Sequence, residues 1–103
     1  MEHPGDTAAY TRMVTATVSP DRVDEAIQLW RDTVLPSVQE QRGFKGVRLL
    51  VDRQHGTIIS IGLWESEDAF RATVAWNQGQ IARFADFFDT PPVVGGYEVV
   101  VDV

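Results

Sequence analysis

The segment at residues 57–65, TIISIGLWE, constrains the fold more than any other part of the chain. Its β-branched and aromatic residues favour a strand. Side chains of a strand alternate between two faces, and here both sets are largely apolar. One set is Ile59, Ile61 and Leu63, and the other is Ile58, Ser60, Gly62 and Trp64. Such a strand needs apolar cover on both faces, which a single layer of two short helices cannot provide.

The elements before this strand are predicted from residues that typically begin or end helices and from the spacing of apolar residues. Residues 12–18 favour a first strand. Ser19 and Pro20 are typical of a helix start, and Gly43 of a helix end. An apolar stripe runs between them, and Pro36 predicts a kink or break near residues 34–36. A second strand at residues 47–51 leads into hairpin-turn chemistry at residues 52–56.

The elements after it complete an alternating order. Ser66 is predicted to cap a second helix, with acidic residues in its first turn. Residues 77–79, NQG, are predicted to interrupt that helix, residues 81–88 resume its spacing, and residues 97–103 form the last strand. The order β-α-β-β-α-β is that of a ferredoxin-like α+β fold, a four-stranded antiparallel sheet with helices on one face. Residues 1–10 are expected to be a flexible tail and residues 11–103 a single domain.

Composition excludes several classes of protein. The formal charge is −6 and the pI about 4.7, which argues against nucleic-acid binding. No signal peptide, no basic amphipathic helix and no apolar run of the ~20 residues that span a bilayer is visible, so no membrane association is expected. The chain contains no cysteine, which removes disulfides and thiolate ligands and suits a cytoplasmic protein.

Three segments resemble the antibiotic biosynthesis monooxygenase family of dimeric α+β barrels. They are residues 43–50, GFKGVRLL, the turn at 52–56, and residues 63–70, LWESEDAF, within a resemblance that covers about residues 11–103. It implies a homodimer through the sheet face and a pocket between the sheet and the second helix region. Family members oxygenate polycyclic phenols or quinols without metal or flavin, so no cofactor is expected. Others degrade haem, and the fold alone does not define the reaction.

The resemblance and the residues together select candidate site residues. Trp64 matches a pocket tryptophan of the family; the alternative is a core tryptophan whose ring N–H bonds a backbone carbonyl. Asn77 is the best polar candidate for a substrate oxygen, and Arg83 or Arg48 could stabilise a phenolate or enolate. Each could instead be an ordinary helix-breaking or surface residue. The candidate aromatic contacts to substrate are Phe70, Trp76, Phe84 and Phe88, beside Phe87, although a broken helix also needs large anchors.

Other kinds of site find little support. His55 lies in a turn and His3 in the tail, and no histidine–carboxylate cluster has metal-ligand spacing. The serines lack a histidine partner for a hydrolytic triad. Haem degraders of this family carry an axial histidine on the second helix and an asparagine on the first strand. Residues 66–89 contain no histidine and residues 12–18 no asparagine, which argues against haem degradation.

Three functions therefore remain open. The first is a cofactor-independent monooxygenase of a polycyclic aromatic phenol or quinol, with Trp64, Asn77 and Arg83 as catalytic residues. The second is a non-catalytic dimeric module that binds a small molecule or regulates a partner, because no acid, base or nucleophile set is visible. The third is an isomerase or cyclase, for which Glu65 is the only nearby acid, and strand alternation turns it away from Trp64. Whether Trp64 and Asn77 face one cavity discriminates the first two.

Overall fold

In a computed structural model, residues 8–103 form a four-stranded antiparallel sheet with helices on one face. Residues 1–7, with His3 and most of the predicted tail, lie outside the described residues. The spatial order of the strands is β2-β3-β1-β4, which confirms the predicted ferredoxin-like α+β fold. The strands are β1 (Tyr10–Thr17), β2 (Phe44–Asp52), β3 (Thr57–Trp64) and β4 (Val93–Glu98).

The helical layer is divided into short segments. The hydrophobic core lies between this layer and the sheet. Buried apolar residues cluster beside the end of β1. The cluster comprises Val18, Val23, Ala26, Val34, Phe84 and Phe87. The helices are α1 (Val23–Leu29), α2 (Leu35–Gln39), α3 (Glu67–Ala72) and α4 (Val74–Ala82), with 3₁₀ turns at Pro20–Arg22 and Ala85–Phe87.

A π turn, Trp30–Val34, joins α1 to α2 just before Pro36, where the sequence predicts a disturbed helix. The amide N–H of Leu35 donates to the carbonyl oxygen of Trp30, five residues earlier. The apolar stripe continues from Trp30 to Val34 to Val38 in steps of four. In a regular α-helix, each such step rotates the side chain by about 40° beyond a full turn. The wider π turn takes up part of this rotation, and Val34 and Val38 stay buried.

The hairpin between β2 and β3 follows the turn chemistry of the sequence. The carboxylate of Asp52 accepts hydrogen bonds from the backbone N–H groups of Gln54 and His55, at 3.1 and 3.3 Å. The side-chain hydrogen bond with His55, 2.9 Å long, lowers the pKa of Asp52 below its ordinary value. Gly56 completes the turn at a φ of 69°. His55 is exposed and belongs to the hairpin.

The bounds of the first and last strands along the chain differ from the prediction. β1 begins at Tyr10, inside the predicted tail, and ends at Thr17 rather than Val18. The prediction of a last strand at residues 97–103 is wrong, since β4 begins at Val93 and ends at Glu98. β4 pairs only with β1, so its ladder stops where β1 starts, after a hydrogen bond from the Val99 N–H to the Ala9 carbonyl oxygen.

The predicted interruption at residues 77–79 is also wrong, because α4 runs through these residues without a break. The second helix is interrupted at Thr73 instead. The buried hydroxyl of Thr73 lies 2.9 Å from the Phe70 carbonyl oxygen, to which it donates. It also accepts a hydrogen bond from Arg12. The cap at Ser66 is confirmed, since its hydroxyl accepts from the Ala69 N–H at 3.1 Å.

The face of the sheet away from the helices is rich in apolar side chains, as the pattern of residues 57–65 predicts. Residues that lie opposite each other in an antiparallel pair share a face. Val14, Ala16, Ile58 and Ser60 line a cavity under the helices, so their strand neighbours point the other way. Apolar side chains on this open face are Met13, Leu50, Ile59, Ile61, Leu63, Val93 and Tyr97.

Candidate ligand-binding site

A mostly apolar cavity lies between the sheet and the helical layer. It is open to solvent, and its empty space of about 630 Å³ includes solvent at the mouth. Strands β1, β2 and β3 form its floor, and α1, the π turn, α4 and the residues after α4 form its walls. Its lining includes Trp30, Ser60, Asn77, Gln80, Phe84 and Phe88.

A second cavity of about 340 Å³, again with its mouth, adjoins the first. Trp30, Val34, Ser60 and Asn77 line both, so the two spaces share a wall. Residues that line only the second cavity are Arg12, Val38, Val47, Gly62, Trp64 and Trp76. Trp64 and Asn77 therefore face one cavity, which is the arrangement that discriminates a binding site from a filled core.

Trp64 ends β3 and is 1% exposed. Its ring stands edge-on to those of Phe44 and Trp76, with centroids 5.8 and 6.3 Å away. The ring N–H is buried and has no hydrogen-bond partner among the described residues. This geometry does not match the alternative of a core tryptophan bonded to a backbone carbonyl. A β-carbon at Gly62 would lie 3.4 Å from Nε1, so the small residue leaves room beside the ring nitrogen.

α4 presents two amide side chains to the cavities, and sequence reasoning found only one of them. Asn77 lines both spaces, while Gln80 lines the first. The side-chain oxygen of Gln80 is buried and has no donor partner among the described residues. Asn77, Gln80, Ile81 and Phe84 follow the spacing i, i+3, i+4, i+7 of one helix face. This spacing could have identified Gln80, had the helix not been predicted to break at residues 77–79.

The aromatic candidates divide between the two cavities and the core. Phe84 and Phe88 line the first cavity with rings 6.5 Å apart and nearly parallel. Trp76 lines the second cavity, and its ring N–H donates to the Ser37 hydroxyl at 2.7 Å. Phe70 lines neither cavity. It packs on Tyr10 and Gly96 at the edge of the sheet, and its role as a substrate contact stays a prediction.

The two arginines selected from the sequence lie away from the cavities. Arg83 follows α4 and is exposed, and Arg48 is an exposed residue of β2 that points to the open face. Their proposed contact with a substrate anion therefore has no support from this geometry. The arginine that does line a cavity is Arg12, which is 4% exposed. Its alternation with Val14 and Ala16 in the inward phase of β1 is the signal that sequence reasoning overlooked.

Among the described residues that line the two cavities, Arg12 is the one charged side chain. Neither cavity is lined by an aspartate, glutamate, histidine or lysine of residues 8–103. Across the same residues no three potential ligands converge as a metal site would require. Glu65 is exposed, so the isomerase hypothesis lacks its carboxylate. The arrangement can enclose a flat aromatic molecule and offer it hydrogen bonds, but it supplies no side-chain base.

The fold and this site define a ferredoxin-like domain with an aromatic-lined cavity between sheet and helices. The chain belongs to the antibiotic biosynthesis monooxygenase family, whose profile matches residues 9–84. This confirms the resemblance noted in the sequence. Within residues 8–103, no helix has the length and apolar character needed to traverse a lipid bilayer.

The chain has relatives among known sequences, and solved structures share its fold. The uncharacterized protein Rv2558 of Mycobacterium tuberculosis is 43% identical over 72 residues, 70% of this chain and 30% of its own length. The chain thus spans about a third of that relative. The monooxygenase from ActVA-Orf6 of Streptomyces coelicolor, solved with nanaomycin D, has a TM-score of 0.77 at 17% identity and 93% and 91% coverage of the two chains. SnoaB of Streptomyces nogalater, a cofactor-independent oxygenase, has a TM-score of 0.70 at 18% identity, with 92% and 96% coverage.

Proposed function

We propose that this protein is a cofactor-independent monooxygenase that acts on a polycyclic aromatic phenol or quinol. The observation that carries the proposal is the joint lining of one cavity by Trp64 and Asn77, next to the stacked rings of Phe84 and Phe88. Such walls suit a flat aromatic ligand, and the few polar groups can fix its orientation. The oxygenases that share the fold, one of them solved with nanaomycin D, support the same class of substrate.

The chemistry would depend on the substrate as the reductant. An anthrone-type substrate loses an acidic proton to water, and the resulting anion passes electrons to O₂. The balance closes without another reductant, since the ring CH₂ becomes a carbonyl, one oxygen atom enters that carbonyl and the other leaves as water. The protein would contribute a dry cavity, stacking surfaces and groups that hold the anion.

The second candidate function is a binding module of the same fold without catalysis. It is favoured by one observation, the lack of an aspartate, glutamate, histidine or lysine among the described residues that line the two cavities. A binding module and an oxygenase would both retain a polycyclic ligand. Only the oxygenase would couple its binding to the consumption of O₂.

The test compares ligand binding with oxygen uptake. Anthrone and 1,8-dihydroxyanthraquinone are titrated against tryptophan fluorescence, and an oxygen electrode follows anthrone turnover above its autoxidation without protein. We expect saturable binding and one anthraquinone formed for each O₂ consumed. Binding without added oxygen uptake would identify the binding module, whereas the lack of any saturable binding would contradict both functions.

Asn77→Leu is expected to weaken binding of the hydroxyanthraquinone by roughly three- to tenfold, the effect of one lost hydrogen bond. Its matched control is Gln78→Leu, which makes a similar change at the adjacent, exposed position of α4. The control is expected to bind as the unaltered protein does. Equal losses in the two variants, measured in the same fluorescence titration, would show that Asn77 makes no contact with the ligand.

We also propose that the protein is a homodimer through the open face of the sheet, as the family resemblance implies. Leu50→Glu tests this assignment because Leu50 is 45% exposed on that face, so a charge there disturbs a single subunit little. Its control, Val74→Glu, alters an apolar residue of 40% exposure at the start of α4. By sedimentation velocity we expect Leu50→Glu to dissociate the dimer and Val74→Glu to leave it intact. A monomeric unaltered protein, or a dimer unaffected by Leu50→Glu, would contradict the assignment.

A further inference from the structure

Arg12 is a charged side chain enclosed in the protein without a counter-charge. It lies on the helix-facing side of β1, opposite Gly62 of β3, and is almost fully buried. Buried arginines are rare in proteins unless they are paired with an acid. Of the described residues, no aspartate or glutamate oxygen lies within 4.0 Å of its nitrogens.

The contacts that hold Arg12 are all neutral. Nη1 donates to the Thr73 hydroxyl at 3.1 Å and Nη2 to the Phe70 carbonyl oxygen at 2.8 Å. The guanidinium carbon lies 4.4 Å from the centre of the Phe70 ring and 5.6 Å from that of Trp64. Burial lowers the pKa of this guanidinium, the direction expected where no anion offsets the loss of water. These contacts fix the position of the group, while its charge remains available.

A donor that does lack a partner lies on the same side of the cavity. The ring N–H of Trp64 is buried and unpaired among the described residues. It lies beside Gly62, the residue of β3 that pairs with Arg12 of β1. Both Arg12 and Trp64 line the second cavity, together with Asn77 and Ser60. This end of the site therefore offers a cation and an N–H donor and no acidic group.

We propose that Arg12 and the Trp64 ring N–H form a binding site for an anionic oxygen carried by the aromatic ligand. A phenolate, an enolate or a ring carboxylate shares this chemistry. The inference rests on the proposed aromatic site and adds the charge of its ligand. It also accounts for a reaction without a side-chain base, because a positive charge beside a phenol or enol lowers its pKa and leaves water to take the proton.

The first experiment compares two ligands that share one ring system and differ in charge and by one methyl group. Anthraquinone-2-carboxylate and its methyl ester are titrated against the unaltered protein, Arg12→Gln and Arg42→Gln. Arg42 is an exposed residue before β2, so its variant removes the same charge from the surface. We expect the carboxylate to bind at least about tenfold more tightly than the ester, as charged hydrogen bonds typically achieve. This preference should disappear in Arg12→Gln and persist in Arg42→Gln.

The second experiment identifies which anionic oxygen the site takes. The visible spectrum of 1-hydroxyanthraquinone, free and bound, is recorded against pH. A bound pKa about one unit or more below the free value, again lost in Arg12→Gln, identifies a phenolate site. Preference for the carboxylate with an unshifted phenol identifies a carboxylate site. Either result supports the proposal.

The unaltered protein alone can overturn the inference, so the test does not depend on the folding of a variant. Equal affinity for carboxylate and ester, with an unshifted phenol, excludes an anion site but leaves the aromatic site intact. Failure of every ligand to bind overturns the aromatic site as well. In Arg12→Gln, retained ester binding shows that the cavity is folded, and Arg12→Lys, which keeps the charge, is expected to recover part of the preference. An unchanged preference in Arg12→Gln would assign the anion to another group.

Discussion

Gly56→Ala is expected to lower the free energy of unfolding by roughly 3–5 kcal/mol, near the upper end for a single substitution. Gly56 has a φ of 69°, where a β-carbon alone costs about 1–2 kcal/mol. That β-carbon would also overlap the carbonyl oxygen of Val18. The oxygen belongs to backbone that cannot move freely, because the Val18 N–H donates to the Gly56 carbonyl oxygen at 2.8 Å. Urea unfolding followed by circular dichroism measures the loss.

Gly79→Ala is the matched control for this prediction. Gly79 lies within α4, and a β-carbon there would meet no heavy atom within 4 Å. Alanine is favoured over glycine inside a helix by about 0.5–1 kcal/mol, so this variant is expected to be more stable than the unaltered protein. Similar losses in both variants would contradict the explanation from backbone geometry at Gly56.

Trp64→Ala is expected to lower the free energy of unfolding by about 3–5 kcal/mol, as large truncations of buried aromatic residues do. The more informative substitution is Trp64→Phe, for which we expect a loss within about 1 kcal/mol. Phenylalanine fills less space, but it also removes a buried N–H that lacks a partner, and such a group typically costs about 1–3 kcal/mol. The two effects oppose each other, so stability changes little while anion binding at the Arg12 end weakens.

Trp76→Phe provides the comparison, because its ring N–H does have a partner. It donates to the Ser37 hydroxyl at 2.7 Å, and its removal is expected to cost about 1–2 kcal/mol. Guanidinium unfolding of the two variants gives the order directly. If Trp64→Phe were the more destabilising, the Trp64 ring N–H would be bonded within the protein and unavailable to a ligand. Trp64 would then be a core residue.

The sequence predicted the features that depend on neighbours along the chain. The hairpin at residues 52–56, the Ser66 cap and the disturbed helix before Pro36 follow from local chemistry, and the structure contains all three. The apolar pattern of residues 57–65 correctly predicted a strand, β3, with apolar side chains on both faces of the sheet. This alternation can be read from the sequence because each strand must place its own apolar side chains on a buried face.

What the sequence did not predict depends on contacts between distant elements. Thr73 interrupts the second helix where its hydroxyl meets Arg12, 61 residues earlier. The helix break predicted at residues 77–79 does not occur, because Asn77 and its neighbours pack over the cavity as a continuous helix. β4 was displaced in the prediction because Gly95 and Gly96 are poor strand formers. Here they make space for the rings of Tyr97 and Phe70.

The same dependence explains the outcome for the candidate site. Trp64 and Asn77 were found because a resemblance or a helix position pointed to them, and both line the second cavity. Arg12 was missed because an arginine in a strand is ordinarily a surface residue. Its burial results from Thr73 and the Phe70 carbonyl group, which only the folded chain brings to it.

The absence of a buried side chain on α4 has a consequence for the rate at which ligands exchange. This helix contributes no fully buried side chain to the core, and local opening favours elements with few buried contacts. A side-chain hydrogen bond from Trp76 to Ser37, 2.7 Å long, joins it to α2. A ligand would then enter and leave by a movement of α4 on a microsecond-to-millisecond scale, and in the proposed oxygenase this exchange, after the chemical step, would limit turnover.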